Sequence, residues 1–370
     1  MGSQRLALFT TFLSSGGAER VMVNLAEGFR DYGIKVDLVL TRIGPRSYAV
    51  PHGVRVINLE APRIYASLPR IVHYLKRERP VALLSANTPV NVTVLLAWRL
   101  ARIPARIVIA EHITLSELLR HTSDWRIRLL PRFIRLCYPW ADAVVAVSKG
   151  AAEDLLRIVS LPEGKLHVIY NPVVTPAVFV KAEEPLDHPW FAPGEPPVIL
   201  GVGRLTTQKD FPTLIRAFAL VRKELPARLM ILGEGRDRPK LEALVRELRL
   251  EEDVAMPGFV DNPYKFMKRA SVFVLSSKWE ALPTALIEAM ACGCPVVSTD
   301  CPSGPAEILE NGKWGHLVSV GDYEALAKAI LSTINTPVKN AEDRAREFSL
   351  EKAVSEYVKL LYQLLYPDVG

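Results

Sequence analysis

Short, uninterrupted apolar runs alternate along this 370-residue chain with longer stretches in which apolar positions recur every three or four residues. In the first half the runs LALFTT, VDLVL, VALLS, RIVIA and AVVAVS predict strands, and the periodicity between them predicts helices, the first from Ala18 to about Tyr32. Strands that are apolar at successive positions are covered on both faces, so this alternation predicts parallel pairing in βα units. The pattern weakens between Asn171 and Pro197, where proline is frequent and periodicity is poor, as in an interdomain connection. A second series follows, with VILGVG, RLMILG, VAMPG, VFVLSS, PVVST and GHLVSV as strands. The expected fold class is α/β, with two doubly wound, Rossmann-like domains facing each other across a cleft. A final amphipathic helix, about Glu351 to Tyr366, carries Val354, Tyr357, Leu361 and Leu365 on one side and needs a surface to cover.

Length agrees with two domains at roughly 150 residues each. The cysteines Cys137, Cys292, Cys294 and Cys301 include no CxxC pair, and they read as reduced, structural thiols on a cytosolic face. The N-terminal MGSQRLALFTT reads as a first strand and not as a signal peptide. The longest apolar stretch, Val81 to Trp98, is broken by Ser85, Asn87, Pro89 and Asn91, which argues against a bilayer-spanning helix. Charge divides unevenly: residues 1–175 hold 23 Lys and Arg against 13 Asp and Glu, and the remainder holds 23 against 27. The basic half suits an anionic membrane or a phosphorylated substrate. No zinc finger, RNA-recognition signature or aromatic-interleaved basic run supports nucleic acid.

Three segments place candidate chemistry at the carboxyl ends of predicted strands, where open α/β sheets bind ligands. After VFVLSS comes EALPTALIEAM, with Glu280 on the loop and Glu288 inside the helix that Pro283 opens. The free N–H groups of that first turn favour phosphate, although two surface glutamates on a solvated helix would show the same spacing. After VILGVG come Arg204 and Lys209, two cations with no obvious acidic partner nearby in sequence, as a diphosphate site requires. After the first strand, Gly16 and Gly17 open a helix in LSSGGAERVMVNLAE; this is neither GxGxxG nor a P-loop, and a plain tight turn is an equal reading.

With these motifs in order, the chain resembles the retaining GT-B glycosyltransferases of family 4 over nearly its whole length. The resemblance is carried by SSGGAERV, Glu111–His112, GVGRLTTQKDF, LGEG at Leu232 to Gly235, PGFVDNP and KWEALPTALIEAMACGCPVVSTDCPSGPAEIL. It implies an N-terminal acceptor domain over 1–175, a linker over 176–196, a donor domain over 197–350, and a C-terminal helix, about 351–370, that rejoins the first domain. It implies that Arg204 and Lys209 neutralise the donor diphosphate and that Glu288 accepts the ribose hydroxyls. Glu280 would hold the sugar, with the amides of Ala281, Leu282 and Thr284 nearby. Gly258 to Val260 would hold the base through backbone groups, and Gly16 and Gly17 would border the diphosphate. His112 matches the family histidine beside the anomeric centre, and Glu111 is either a second site residue or an anchor for it. Ala281 departs from the glycine usual in the family and places a methyl beside the sugar, which leaves the donor pose open.

The family retains anomeric configuration, and a donor phosphate oxygen is the proposed proton acceptor. The chain contains no Asp-x-Asp, and the Arg–Lys pair replaces a cation electrostatically, so metal independence is expected, with no cofactor beyond the nucleotide-sugar co-substrate. Between His112 and Val144, Trp125, Leu129, Phe133, Leu136, Tyr138 and Trp140 interleave with Arg126, Arg128, Arg132 and Arg135, as on a helix pair at a membrane interface. A core-facing helix with a solvated basic side is the competing reading. The expected reaction moves N-acetylhexosamine or hexose from a UDP-sugar to a lipid-linked acceptor such as a polyprenyl-diphosphate saccharide, in the cytoplasm at the inner face of the membrane. A soluble sugar or metabolite acceptor, or a nucleotide-sugar binding protein without catalysis, are the alternatives.

Overall fold

Strands β1 (Arg5–Thr10), β2 (Lys35–Leu40), β3 (Arg55–Asn58), β4 (Ala82–Ala86), β5 (Arg106–Glu111), β6 (Ala143–Ala146) and β7 (Leu166–Val168) form one parallel sheet in the order β3-β2-β1-β4-β5-β6-β7. This is a computed structural model that describes residues 5–13, 17–44 and 49–367. Alternate residues of β1 feed two separate cores: Ala7 and Phe9 join one with Ile107 and Ile109, and Leu6 and Leu8 join the other with Val108 and Ala110. Helices cover both faces, which is why these strands are apolar at consecutive positions.

A second parallel sheet contains β8 (Val198–Val202), β9 (Arg228–Leu232), β10 (Val254–Gly258), β11 (Val272–Leu275), β12 (Val296–Thr299) and β13 (His316–Val318), in the order β10-β9-β8-β11-β12-β13. In both sheets the chain winds outward in one direction and then reverses, at β1/β4 and at β8/β11. These reversals open the strand ends to a ligand.

The chain separates into two compact units, one made of the described residues up to Val173 with those from Leu350 onward, the other of Val174–Ser349. The C-terminal helix Leu350–Leu365 lies in the first unit, with Val354, Tyr357 and Leu361 buried in the core beside Met22 and Phe29 of the helix Gly17–Asp31. Phe29 and Tyr357 meet edge to face at 6.2 Å.

Residues 176–196 are not the open connection that their proline content predicts. Pro176 starts a helix, Pro176–Ala182, and the segment is bound to the second unit. Asn262 donates to the carbonyl of Lys181 at 2.8 Å, Arg269 to that of Ala182 at 3.2 Å, and Lys268 pairs with Glu183. Phe191 packs on Phe266, and Arg228 lies over Trp190. Prolines here fix helix and turn starts, and the aromatics between them supply the packing that periodicity does not reveal.

Candidate active site

In the second unit the ends of β8 and β11, neighbours at the point of reversal, carry the residues singled out from sequence. The two loops are stitched together. Lys278 donates its amide to the carbonyl of Gln208 at 2.8 Å, the Gln208 side chain donates to the carbonyl of Trp279 at 2.9 Å, and the Ser276 hydroxyl donates to the carbonyl of Lys209 at 2.8 Å. Glycines allow the layer beneath. A Cβ on Gly233, whose φ is +143°, would lie 1.9 Å from the carbonyl oxygen of Gly203, and the amide of Gly203 in turn donates to the carbonyl of Leu232.

This stitching delivers the Lys209 ammonium to Glu280 Oε1 at 2.5 Å, and the Ser277 hydroxyl donates to the same oxygen at 2.7 Å. Lys209 therefore has an acidic partner, contributed from 71 positions away. Both side chains are largely buried, so the pair is poorly screened by water. Arg204 is exposed, and among the described residues its guanidinium makes no ion pair.

Pro283 occupies the position before the helix Thr284–Ala291 and offers no side-chain cap, so the positive end of that helix is left to other partners. Ala281 and Leu282 are buried, and Thr284 is half-buried. Gly304, at φ +60°, packs where a Cβ would meet Pro283 Cδ at 2.6 Å, which keeps the loop in place. Glu288, the fifth residue of the helix, is 7% exposed, and the Tyr264 hydroxyl donates to its Oε1 at 3.1 Å. Gly258 ends β10 at φ +93°, with Phe259 exposed and Val260 half-buried beyond it. Arg238 holds this strand end, donating to the carbonyl of Met256 at 2.7 Å and pairing with Glu234 and Glu242.

In the first unit, Glu111 ends β5 and is the hub of a buried polar cluster. Its carboxylate accepts from the Tyr138 hydroxyl at 2.6 Å, the Thr88 hydroxyl at 2.8 Å and the Asn91 amide at 2.8 Å. Asn91 also donates to the carbonyl of Ala110 and accepts from the Ser85 hydroxyl. Burial pushes the Glu111 carboxyl up to about 7, against the pull of its three donors. His112 follows with both ring nitrogens buried and, among the described residues, without a hydrogen-bond partner, and burial pushes it down to about 4, so the imidazole is neutral at pH 7.

Gly17 begins the helix Gly17–Asp31 and is exposed, whereas Gly16 lies outside the described residues. Arg126, Arg128, Arg132 and Arg135 are exposed on the helix Trp125–Cys137, together with Trp125, Phe133 and Leu136. Tyr138, grouped with the interfacial aromatics in sequence, is instead fully buried on Glu111. Sequence reading missed the partners: Tyr138, Thr88, Asn91 and Ser85 around Glu111, Ser277 beside Glu280, and Tyr264 on Glu288. The signal available was polar residues inside an apolar stretch, since Ser85 and Asn91 served there only to argue against a membrane span.

Residues 15–175 match the family model described as Glycosyltransferase Family 4, and residues 183–349 match that of Glycosyl transferases group 1. The N-acetylgalactosamine-N,N'-diacetylbacillosaminyl-diphospho-undecaprenol 4-alpha-N-acetylgalactosaminyltransferase of Campylobacter jejuni is 32% identical, over 97% of this chain and 99% of its own. Among solved structures, sucrose-phosphate synthase of Thermosynechococcus elongatus superposes with a TM-score of 0.80 at 21% identity, covering 99% of this chain and 100% of that one. HepE of Anabaena, in complex with UDP and glucose, superposes with a TM-score of 0.79 at 20% identity, covering 96% and 98%. At these identities the superpositions speak to the fold alone.

Proposed function

The chain belongs to the family 4 glycosyltransferases, of GT-B fold, and from that premise we propose that it is a retaining enzyme that moves a sugar from a UDP-sugar to a lipid-linked diphosphate acceptor. The observation that carries the reading is the Lys209–Glu280 pair at the β8/β11 reversal, with the exposed Arg204 on the same loop as Lys209. Two cations beside a carboxylate suit a donor whose leaving group is an anion and whose transferred group is a polyol.

In this reading Arg204 and Lys209 bind the diphosphate and stabilise the negative charge that grows on it as the glycosidic bond breaks. Glu280 exchanges part of its contact with Lys209 for sugar hydroxyls, and Ala281, Leu282 and Thr284 line the same turn. Glu288 accepts from the ribose, and Gly258 to Val260 meet the base. His112, neutral and with no hydrogen-bond partner among the described residues, suits a hydroxyl of the sugar or acceptor. Glu111 then acts behind His112, holding the end of β5. The acceptor hydroxyl attacks on the face the nucleotide leaves, and a donor phosphate oxygen takes its proton, so orientation and charge stabilisation supply the rate. No metal is needed where these cations balance the phosphate charge.

Support for a lipid-linked acceptor comes from the activity of the Campylobacter relative, and UDP as carrier from the ligand in the Anabaena structure. An N-acetylhexosamine is the favoured sugar on the same ground. Peripheral contact with an anionic membrane surface, on its cytoplasmic side, would bring such an acceptor within reach.

The test is turnover of a UDP-sugar panel on a polyprenyl-diphosphate saccharide, with and without chelator. Lys209→Ala is expected to lower kcat tenfold or more in a protein that still folds, with a lowered melting temperature because Glu280 loses its buried partner. Activity within about threefold of wild type would remove Lys209 from the site, and a chelator-induced loss reversed by magnesium or manganese would exclude metal independence.

A further inference from the structure

Glu288 is buried in a setting that constrains the direction of its carboxylate. The bond from Tyr264 joins two side chains shielded from water, since Tyr264 is 1% exposed. Tyr264 is itself held in place by Asn262, whose Oδ1 accepts the Tyr264 amide at 3.1 Å. The Asn262 amide donates to the carbonyl of Lys181 and to Glu184 Oε2, both at 2.8 Å. The segment that sequence reads as a linker thus fixes the backbone that carries this hydroxyl.

A phenylalanine would fill the same core space, so packing alone does not call for the phenolic oxygen. A carboxylate that accepts from a pair of adjacent hydroxyls needs its plane set, because its terminal torsion is otherwise broad. A buried O–H donor on one oxygen sets that plane.

We propose that Tyr264 is a positioning residue that orients the Glu288 carboxylate toward the ribose hydroxyls of the nucleotide donor, and so takes part in selecting ribonucleotides. This deepens the function proposed above and depends on Glu288 receiving the ribose.

The experiment is calorimetric titration of the full chain with UDP and with dideoxy-UDP, which lacks both ribose hydroxyls. Wild type binds UDP the more tightly. Tyr264→Phe is expected to weaken UDP about tenfold and to leave dideoxy-UDP unchanged, so the ratio between them narrows by the same factor. Equal losses for the two ligands, or a ratio kept at the wild-type value, would overturn the role of Tyr264 while leaving Glu288 its own. A wild-type protein indifferent to the hydroxyls, or one that does not bind UDP, would remove the ribose reading and this inference with it. Should Tyr264→Phe lose its cooperative melt, Asn262→Ala serves in its place. It is expected to narrow the ratio about threefold by freeing the Tyr264 backbone, and an unchanged ratio counts against the proposal.

Discussion

Glu111 illustrates how a buried residue acquires a pH signature. Three donors converge on its carboxylate, yet desolvation outweighs them and pushes its pKa up to about 7. A carboxyl whose folded value lies above its unfolded value of about 4.5 favours the folded state most at low pH and loses that contribution as pH rises toward 7. Comparing wild type with Glu111→Gln cancels most other titrations. The stability difference between them should move against wild type by about 2 to 3 kcal/mol from pH 5 to pH 8, read from urea unfolding at each pH. A constant difference would mean that the carboxyl does not ionise in this window. His112 has the opposite sign: held neutral by burial, it lowers stability as pH falls from its ordinary 6.5 toward 4, and it remains in both proteins.

At the scale of elements, the helix Trp125–Cys137 divides its surface cleanly. Leu130, Ile134 and Cys137 are buried at helical spacing, and Asp124 caps the start by accepting from the amide of Arg126. Arg128, Arg132, Trp125, Phe133 and Leu136 are exposed, a mixture of cations and large apolar groups suited to a lipid headgroup region. Arg135 is exposed too, but its Nε donates to the carbonyl of Ile158, so charge reversal there would also cost a structural bond. Reversing Arg128 and Arg132 to Glu is expected to reduce co-sedimentation with anionic liposomes tenfold or more, and to leave UDP affinity unchanged. Sedimentation equal to wild type would assign these arginines to plain solvation. The central strands were legible because they are buried on both faces, and the partly exposed edge strands β10 and β13 were read from VAMPG and GHLVSV. β3 and β7 escaped notice because they are edge strands of four and three residues, partly exposed, with no continuous apolar run.

For the molecule as a whole, the far end of the chain returns to complete the first unit, and one glycine permits the approach. A Cβ on Gly28 would lie 2.3 Å from Val354 Cγ2, so the helices Gly17–Asp31 and Leu350–Leu365 can pack this closely only without a side chain there. Gly28→Ala should destabilise by about 1 to 3 kcal/mol through overpacking, despite the better helix propensity of alanine. Adding Val354→Ala should restore much of the loss, and thermal melts of the two variants decide the matter; no recovery would place the strain elsewhere. By itself the sequence determined the two α/β series, the amphipathic last helix and the placement of Arg204, Lys209, Glu280 and Glu288 near strand ends. These are local properties, since a strand covered on both faces must be apolar throughout and a ligand loop must follow it. Only the tertiary structure decided that Glu280 answers Lys209, that Tyr138 belongs to Glu111 and not to an interface, and that residues 176–196 are held against the second unit. Such partners are joined by strand order and loop closure across tens of residues, and hydrophobic periodicity contains no record of either.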